Sequence, residues 1–133
     1  MITGLNHLTL AVSDLDRSVA FYRDILGGTP RAASDGMTYM SLGALWLCLE
    51  ASDEVRPARG GTHYAFSASG SAFEALARRI RGAAPIWKEN RSEGASVYFL
   101  DPDGHRLELH DGDLDSRLAH YRAHPEKGVA VLS

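Results

Sequence analysis

His7, His63 and Glu108 are the residues of this chain whose types and spacing suit chemistry. Two imidazoles and one carboxylate match a divalent ion of the manganese, iron, nickel or zinc class and leave coordination positions for water or substrate. Taken singly, each is an ordinary residue: a hydrogen-bonded histidine at a core edge, or a glutamate facing solvent beside Arg106. Their stations argue for more. His7 opens "NHLTLAVS", His63 opens the similar "THYAFSAS", and Glu108 sits in "RLELH" with Leu107 and Leu109 on the opposite strand face. Lys88, Arg117 and Thr9, which shares a strand face with His7, suit a phosphoryl or phosphonyl group that also touches the metal. Separately, Lys88 and Arg117 are plain surface charges. "RSEGAS" (91–96) offers amides to a phosphate, or carbonyls and hydroxyls to a monovalent cation, but it lacks the P-loop pattern.

The elements that must position these groups follow a repeated grammar. Residues 6–13 alternate as a strand, Ser13 or Asp14 caps a helix over 16–26, and Gly27-Gly28 stops it. An extended region starts at Pro30, and strands are predicted over 38–42 and 45–50. After the polar connection 53–61, a second strand, a helix ending near Gly82 and Pro85 repeat the order, with His7 to His63 and Pro30 to Pro85 nearly equal intervals. Further strands are predicted over 86–88, 95–100 and 106–110, with "DPDG" as the turn between the last two. A final helix over 114–122 carries an apolar stripe of Leu114, Leu118 and Tyr121, with Arg117 at its edge.

Trp46 and Cys48 alternate onto one strand face and, with Tyr39, line a cavity or complete the core. Cys48 has no thiolate-stabilising partner in sequence and reads as packing. His105, just after the turn glycine, is expected to face solvent. His110 shares the parity of Glu108 and suits a hydrogen-bond partner of a ligand. His120 and His124 belong to a surface helix end.

Length and composition bound the function. A chain of 133 residues makes one domain, with modules at about 1–52 and 62–133. A formal charge of -3 without a basic run argues against nucleic acid, and no apolar run approaches a membrane span. The N-terminus lacks the pattern of a secretory signal, and the lone Cys48 cannot form an intrachain disulfide, so a cytoplasmic location is expected.

The motifs "GLNHLTLAVSDL", "SVAFYRDILG", "LWLCL", "THYAF", "WKENRSEG" and "YFLDPDGHRLELH" closely resemble, in order, those of the fosfomycin-resistance glutathione transferases of the vicinal oxygen chelate superfamily. The resemblance implies an α+β fold of tandem βαβββ modules forming a cupped mixed sheet in a domain-swapped homodimer. It implies manganese on His7, His63 and Glu108, with His63 reaching a metal held by His7 and Glu108 of the other chain. Thr9 would act at the epoxide oxygen, and Lys88, Ser92, Tyr98 and Arg117 would hold the phosphonate of fosfomycin. Ser92, Gly94 and Ser96 would hold an activating potassium ion, Tyr39 and Trp46 would line the pocket, and glutathione would be the second substrate. The chain departs from the family before Tyr39 ("AASDGMTY") and at Gly61, and Ala44 offers no carboxylate base for a hydrating enzyme. Another enzyme of the superfamily, whether epoxide hydrolase, other thiol transferase or dioxygenase, and a non-catalytic drug-binding protein are the alternatives.

Overall fold

The computed structural model describes residues 1–132. Two strand–helix–three-strand units follow one another: β1 (His7–Val12), α1 (Leu15–Ala20), β2 (Thr29–Ala33), β3 (Met37–Leu42) and β4 (Leu45–Ala51), then β5 (Tyr64–Ser67), α2 (Gly70–Ala83), β6 (Ile86–Lys88), β7 (Ala95–Leu100) and β8 (Arg106–Asp111). α3 (Leu114–Ala123) and a short 3-10 turn (Pro125–Lys127) complete the order. Asp14 caps α1 by accepting from the Arg17 amide, and Asp113 and Ser116 form a reciprocal capping box on α3.

The helix expected over 16–26 changes pitch. Its α-helical part ends at Ala20, and Phe21–Ile25 form a π-helical turn. The Gly28 amide donates to the Tyr22 carbonyl at 2.8 Å, and a Cβ at Gly28 would lie 2.9 Å from that same oxygen. Only glycine permits the approach.

Each unit folds its strands into its own mixed four-stranded sheet, in the orders β1-β4-β3-β2 and β5-β8-β7-β6. The first strand of each unit lies parallel to its last, and the remaining pairs are antiparallel. The expected single cupped sheet is therefore two within one chain, because β1 and β5 end their sheets and no ladder joins them. The helical sides meet instead: Leu10, Val12, Tyr22, Met40, Leu47 and Leu49 from one unit form one core with Phe73, Ala77, Ile80, Phe99 and Leu107 from the other.

The "DPDG" turn clasps the two units. Asp101 Oδ1 accepts from the Asp103 and His105 amides, while Asp101 Oδ2 accepts from the Tyr22 hydroxyl at 2.8 Å. Asp103 accepts from the Ser13 amide at 3.0 Å. His105, expected in solvent, is only 7% exposed, and its Nε2 donates to the Ala11 carbonyl at 2.7 Å. A part-buried carbonyl on the edge strand β1 that needs a donor accounts for this inward turn. The predicted stripe of α3 is also not core within the chain: Leu114 is 70% exposed and no residue of the helix is buried.

Candidate metal and anion site

Cross-strand register assembles the site on the second sheet. Ala65 pairs with Glu108, Glu108 with Tyr98, and Tyr98 with Lys88, so one row crosses β5, β8, β7 and β6. His63 lies two residues before Ala65 and shares its parity. Its Nε2 is 2.9 Å from Glu108 Oε1, and its Nδ1 is 2.6 Å from the Gly61 carbonyl. The carbonyl only accepts, so Nδ1 carries a proton. With Nδ1 so committed, Nε2 and the carboxylate oxygen face each other, an arrangement that a shared proton or a cation held by both groups satisfies. The donor set fits a divalent metal.

The rest of Glu108 is held. It is 7% exposed, and its Oε2 accepts from Ser96 Oγ at 2.7 Å. Tyr98 is buried, with its ring 5.9 Å from His63 and 5.3 Å from Trp87. Trp87 is pinned by its indole N–H, which donates to the Leu107 carbonyl at 3.0 Å. Lys88 Nζ lies 5.0 Å from the centre of the Tyr98 ring, which places an ammonium beside the row.

The loop before β7 is organised by Asn90, a residue the sequence reading did not single out. Its Nδ2 donates to the Gly94 carbonyl at 2.7 Å, and its Oδ1 accepts from the Ser92 amide and hydroxyl at 3.1 and 3.0 Å. Ser92 and Gly94 thus share one loop, while Ser96 turns to Glu108. Arg117 reaches this loop from α3: its Nε donates to Glu93 Oε2 and its Nη2 to the Glu93 carbonyl, both at 3.1 Å. The Glu93 hydrogen bond raises the guanidinium pKa further above its ordinary value. Glu93 was also missed; an isolated acid in a polar loop carries no periodic signal.

The other predicted residues lie on the first sheet. His7 pairs in register with Trp46, and its ring centre is 4.4 Å from that of the indole. Thr9 pairs with Cys48 and Cys48 with Tyr39, whose ring meets Trp46 edge-on at 5.2 Å. Burial pushes the Cys48 thiol pKa up, partly offset by a hydrogen bond from Thr9. His7 and Thr9 are exposed, so this face of the sheet is open.

Among the described residues, no three His, Cys, Asp or Glu side chains converge to hold an ion. The chain brings His63 to Glu108 and leaves His7 on the other sheet. This corrects the expected division in which His7 and Glu108 belonged to one chain's share and His63 to the other's. The reason is topological: β5 is the parallel neighbour of β8, whereas β1 is the neighbour of β4. A mostly apolar cleft of about 720 Å³, lined by Leu8, Leu45, Phe66, Phe99 and Leu109 among others, runs between the two sheets and reaches His63.

Residues 4–109 match the model of the Glyoxalase/Bleomycin resistance protein/Dioxygenase superfamily. The chain is 50% identical to the glutathione transferase FosA of Serratia marcescens, across 100% of this chain and 98% of that protein. It is 36% identical to the metallothiol transferase FosB of Shouchella clausii (strain KSM-K16), across 91% of this chain and 88% of the relative. Its fold is similar to the crystal structure of a mutant of the fosfomycin resistance protein FosX from Listeria monocytogenes, complexed with Mn(II) and 1S,2S-dihydroxypropylphosphonic acid (TM-score 0.79, 31% identity, 89% of this chain and 99% of that one). FosX from Mesorhizobium loti gives a TM-score of 0.76 at 30% identity, over 89% of this chain and 99% of that one.

Proposed function

The chain belongs to the glyoxalase/bleomycin resistance protein/dioxygenase superfamily, and from that premise we propose that it inactivates fosfomycin by metal-dependent transfer of glutathione to the epoxide. The observation that carries this reading is the His63 to Glu108 pair at 2.9 Å, with Tyr98 and Lys88 at the next stations of the same cross-strand row. A cation-binding pair next to an ammonium suits a substrate that presents both an anion and a polarisable oxygen.

In this reading His63 and Glu108 hold manganese together with His7 of a second copy, since His7 lies on the open face of the first sheet. Bound Mn2+ supplies Lewis acidity to the epoxide oxygen. Lys88, Arg117, Ser92 and Tyr98 hold the phosphonate. The glutathione thiolate attacks a ring carbon, the carbon–oxygen bond breaks towards oxygen, and Thr9 hydrogen-bonds the alkoxide as its charge grows; that oxygen then takes a proton from solvent, which received the thiol proton. Ser92, Gly94 and Ser96 form the potassium loop, and Tyr39 and Trp46 wall the pocket. Homodimer formation with exchanged modules would also cover the apolar cleft between the sheets.

Glutathione is favoured over water because FosA of Serratia marcescens, at 50% identity, is a glutathione transferase, and because Ala44 supplies no carboxylate base. The deciding experiment is mass spectrometry of products after incubation with fosfomycin, glutathione, Mn2+ and K+. A glutathione adduct is expected; a diol alone would move the chain to hydration.

A further inference from the structure

We propose that His110 is a positioning residue of the metal site, orienting Glu108 through the Ser96 hydroxyl; the inference rests on the metal reading above. The bond directions follow from the chemistry of the groups. Ser96 Oγ lies 2.7 Å from Glu108 Oε2, and a carboxylate only accepts, so the single hydroxyl proton points at Glu108. His110 Nδ1, 2.6 Å from the same Oγ, therefore donates to it. The series His110 to Ser96 to Glu108, together with the 3.5 Å approach of His110 Nδ1 to Oε2 itself, fixes one carboxylate oxygen and leaves Oε1 turned to His63. Without the imidazole donor the hydroxyl regains its rotation and the carboxylate its freedom to pivot.

Packing fixes the ring itself. Gly94 and Gly112 both have positive φ, 81° and 149°. A Cβ at Gly94 would lie 2.9 Å from His110 Cε1, and one at Gly112 would lie 2.7 Å from its Nε2. The imidazole occupies the room that both glycines leave. Gly94 belongs to the loop that carries Ser92, and Gly112 leads into α3, which carries Arg117. His110 is thus the point at which loop and helix meet the support of the metal carboxylate.

The test is a Mn2+ titration of the full chain, followed by the electron paramagnetic resonance of free Mn2+ and independent of turnover. His110→Ala should weaken Mn2+ binding by about 10- to 100-fold, the range typical of partners that orient a ligand. His110→Asn, which keeps an N–H donor near the Nδ1 position, should recover most of the loss. The double variant Ser96→Ala/His110→Ala should lose less than the sum of the two single losses, because the Ser96 hydroxyl relays most of what His110 contributes. Wild-type affinity in His110→Ala, or additive losses in the double variant, would overturn the proposal. If His110→Ala does not fold, His110→Asn is compared with His110→Gln, whose donor sits near Nε2; equal affinities would overturn it as well. A wild-type chain that takes up no Mn2+ sinks the metal reading itself and this proposal with it, a result distinct from a wild type that binds and a variant that binds equally.

Discussion

His63 and Glu108 face each other across 2.9 Å on neighbouring strands of one chain, whereas His7 stands on a separate sheet. That division fixes which damaged chains can repair one another in a two-chain site. Mixing His7→Ala with His63→Ala should restore about one quarter of wild-type activity: half the dimers are mixed, and each mixed dimer holds one intact site. Mixing His63→Ala with Glu108→Gln should restore nothing, since every site then lacks one of the two. The measurement is turnover after subunit exchange, with native mass spectrometry to count heterodimers. Recovery in the second mixture would refute the pairing in one chain.

In the proposed reaction Lys88 would meet a charge that fosfomycin already carries beforehand, and so would contribute to ground-state binding as much as to the transition state. Lys88→Ala should raise KM for fosfomycin at least as much as it lowers kcat. A pure loss of kcat, seen in steady-state kinetics with saturating glutathione, would assign Lys88 to the chemical step.

Thr9 is read as a donor to oxygen charge that develops only as the ring opens. Thr9→Val should leave Mn2+ affinity unchanged in calorimetry and lower kcat by about 10- to 100-fold, the effect of one lost transition-state hydrogen bond of roughly 1.5–3 kcal/mol to a charged group. Unchanged turnover would remove Thr9 from the chemistry.

Tyr22 links pH to stability. It is fully buried, its hydroxyl donates to Asp101 Oδ2, and burial followed by the Asp101 charge holds its phenol well above the ordinary value. Below about pH 10 the phenol is protonated in both folded and unfolded chains, and its stabilisation is complete. As pH rises past that value the unfolded chain ionises first, so stability falls until the folded phenol also titrates. Tyr22→Phe should cost about 1–3 kcal/mol at neutral pH, because Asp101 loses a buried donor, and should flatten the alkaline decline. Urea unfolding between pH 7 and 11 checks both. An equally steep decline in the variant would disprove the assignment.

Local signals carried most of the strand pattern. The "DPDG" turn and the alternation around it mark β7 at residues 95–100, and β8 extends one residue past the predicted His110. Long-range demands account for the differences. The pitch change after Ala20 and the close approach of Gly28 to the Tyr22 carbonyl are two features that no helical periodicity encodes. His105 follows a turn glycine, a local hint of solvent, yet its acceptor is the Ala11 carbonyl, 94 residues away. In the candidate site, strand parity set Glu108 opposite Leu107 and Leu109, but its direct pairing with His63 depends on β5 lying parallel to β8. Asn90 and Glu93 act through a few hydrogen bonds around one irregular loop, which carry no periodic signal; the available hint was an asparagine four residues before a glycine.

The clasp made by the "DPDG" turn has a consequence for the growing polypeptide. Its bonds to the first unit span 79, 90 and 94 residues, from Tyr22 to Asp101, Ser13 to Asp103 and Ala11 to His105. At about 5–20 residues per second, the Ala11 carbonyl waits roughly 5–20 s on the ribosome for its donor to be made. Until Asp101 is made the Tyr22 hydroxyl bonds water instead, and half of the shared core has not been translated. The pace of translation therefore sets how long Val12, Leu47 and Leu49, all fully buried at the end, stay open to neighbouring nascent chains.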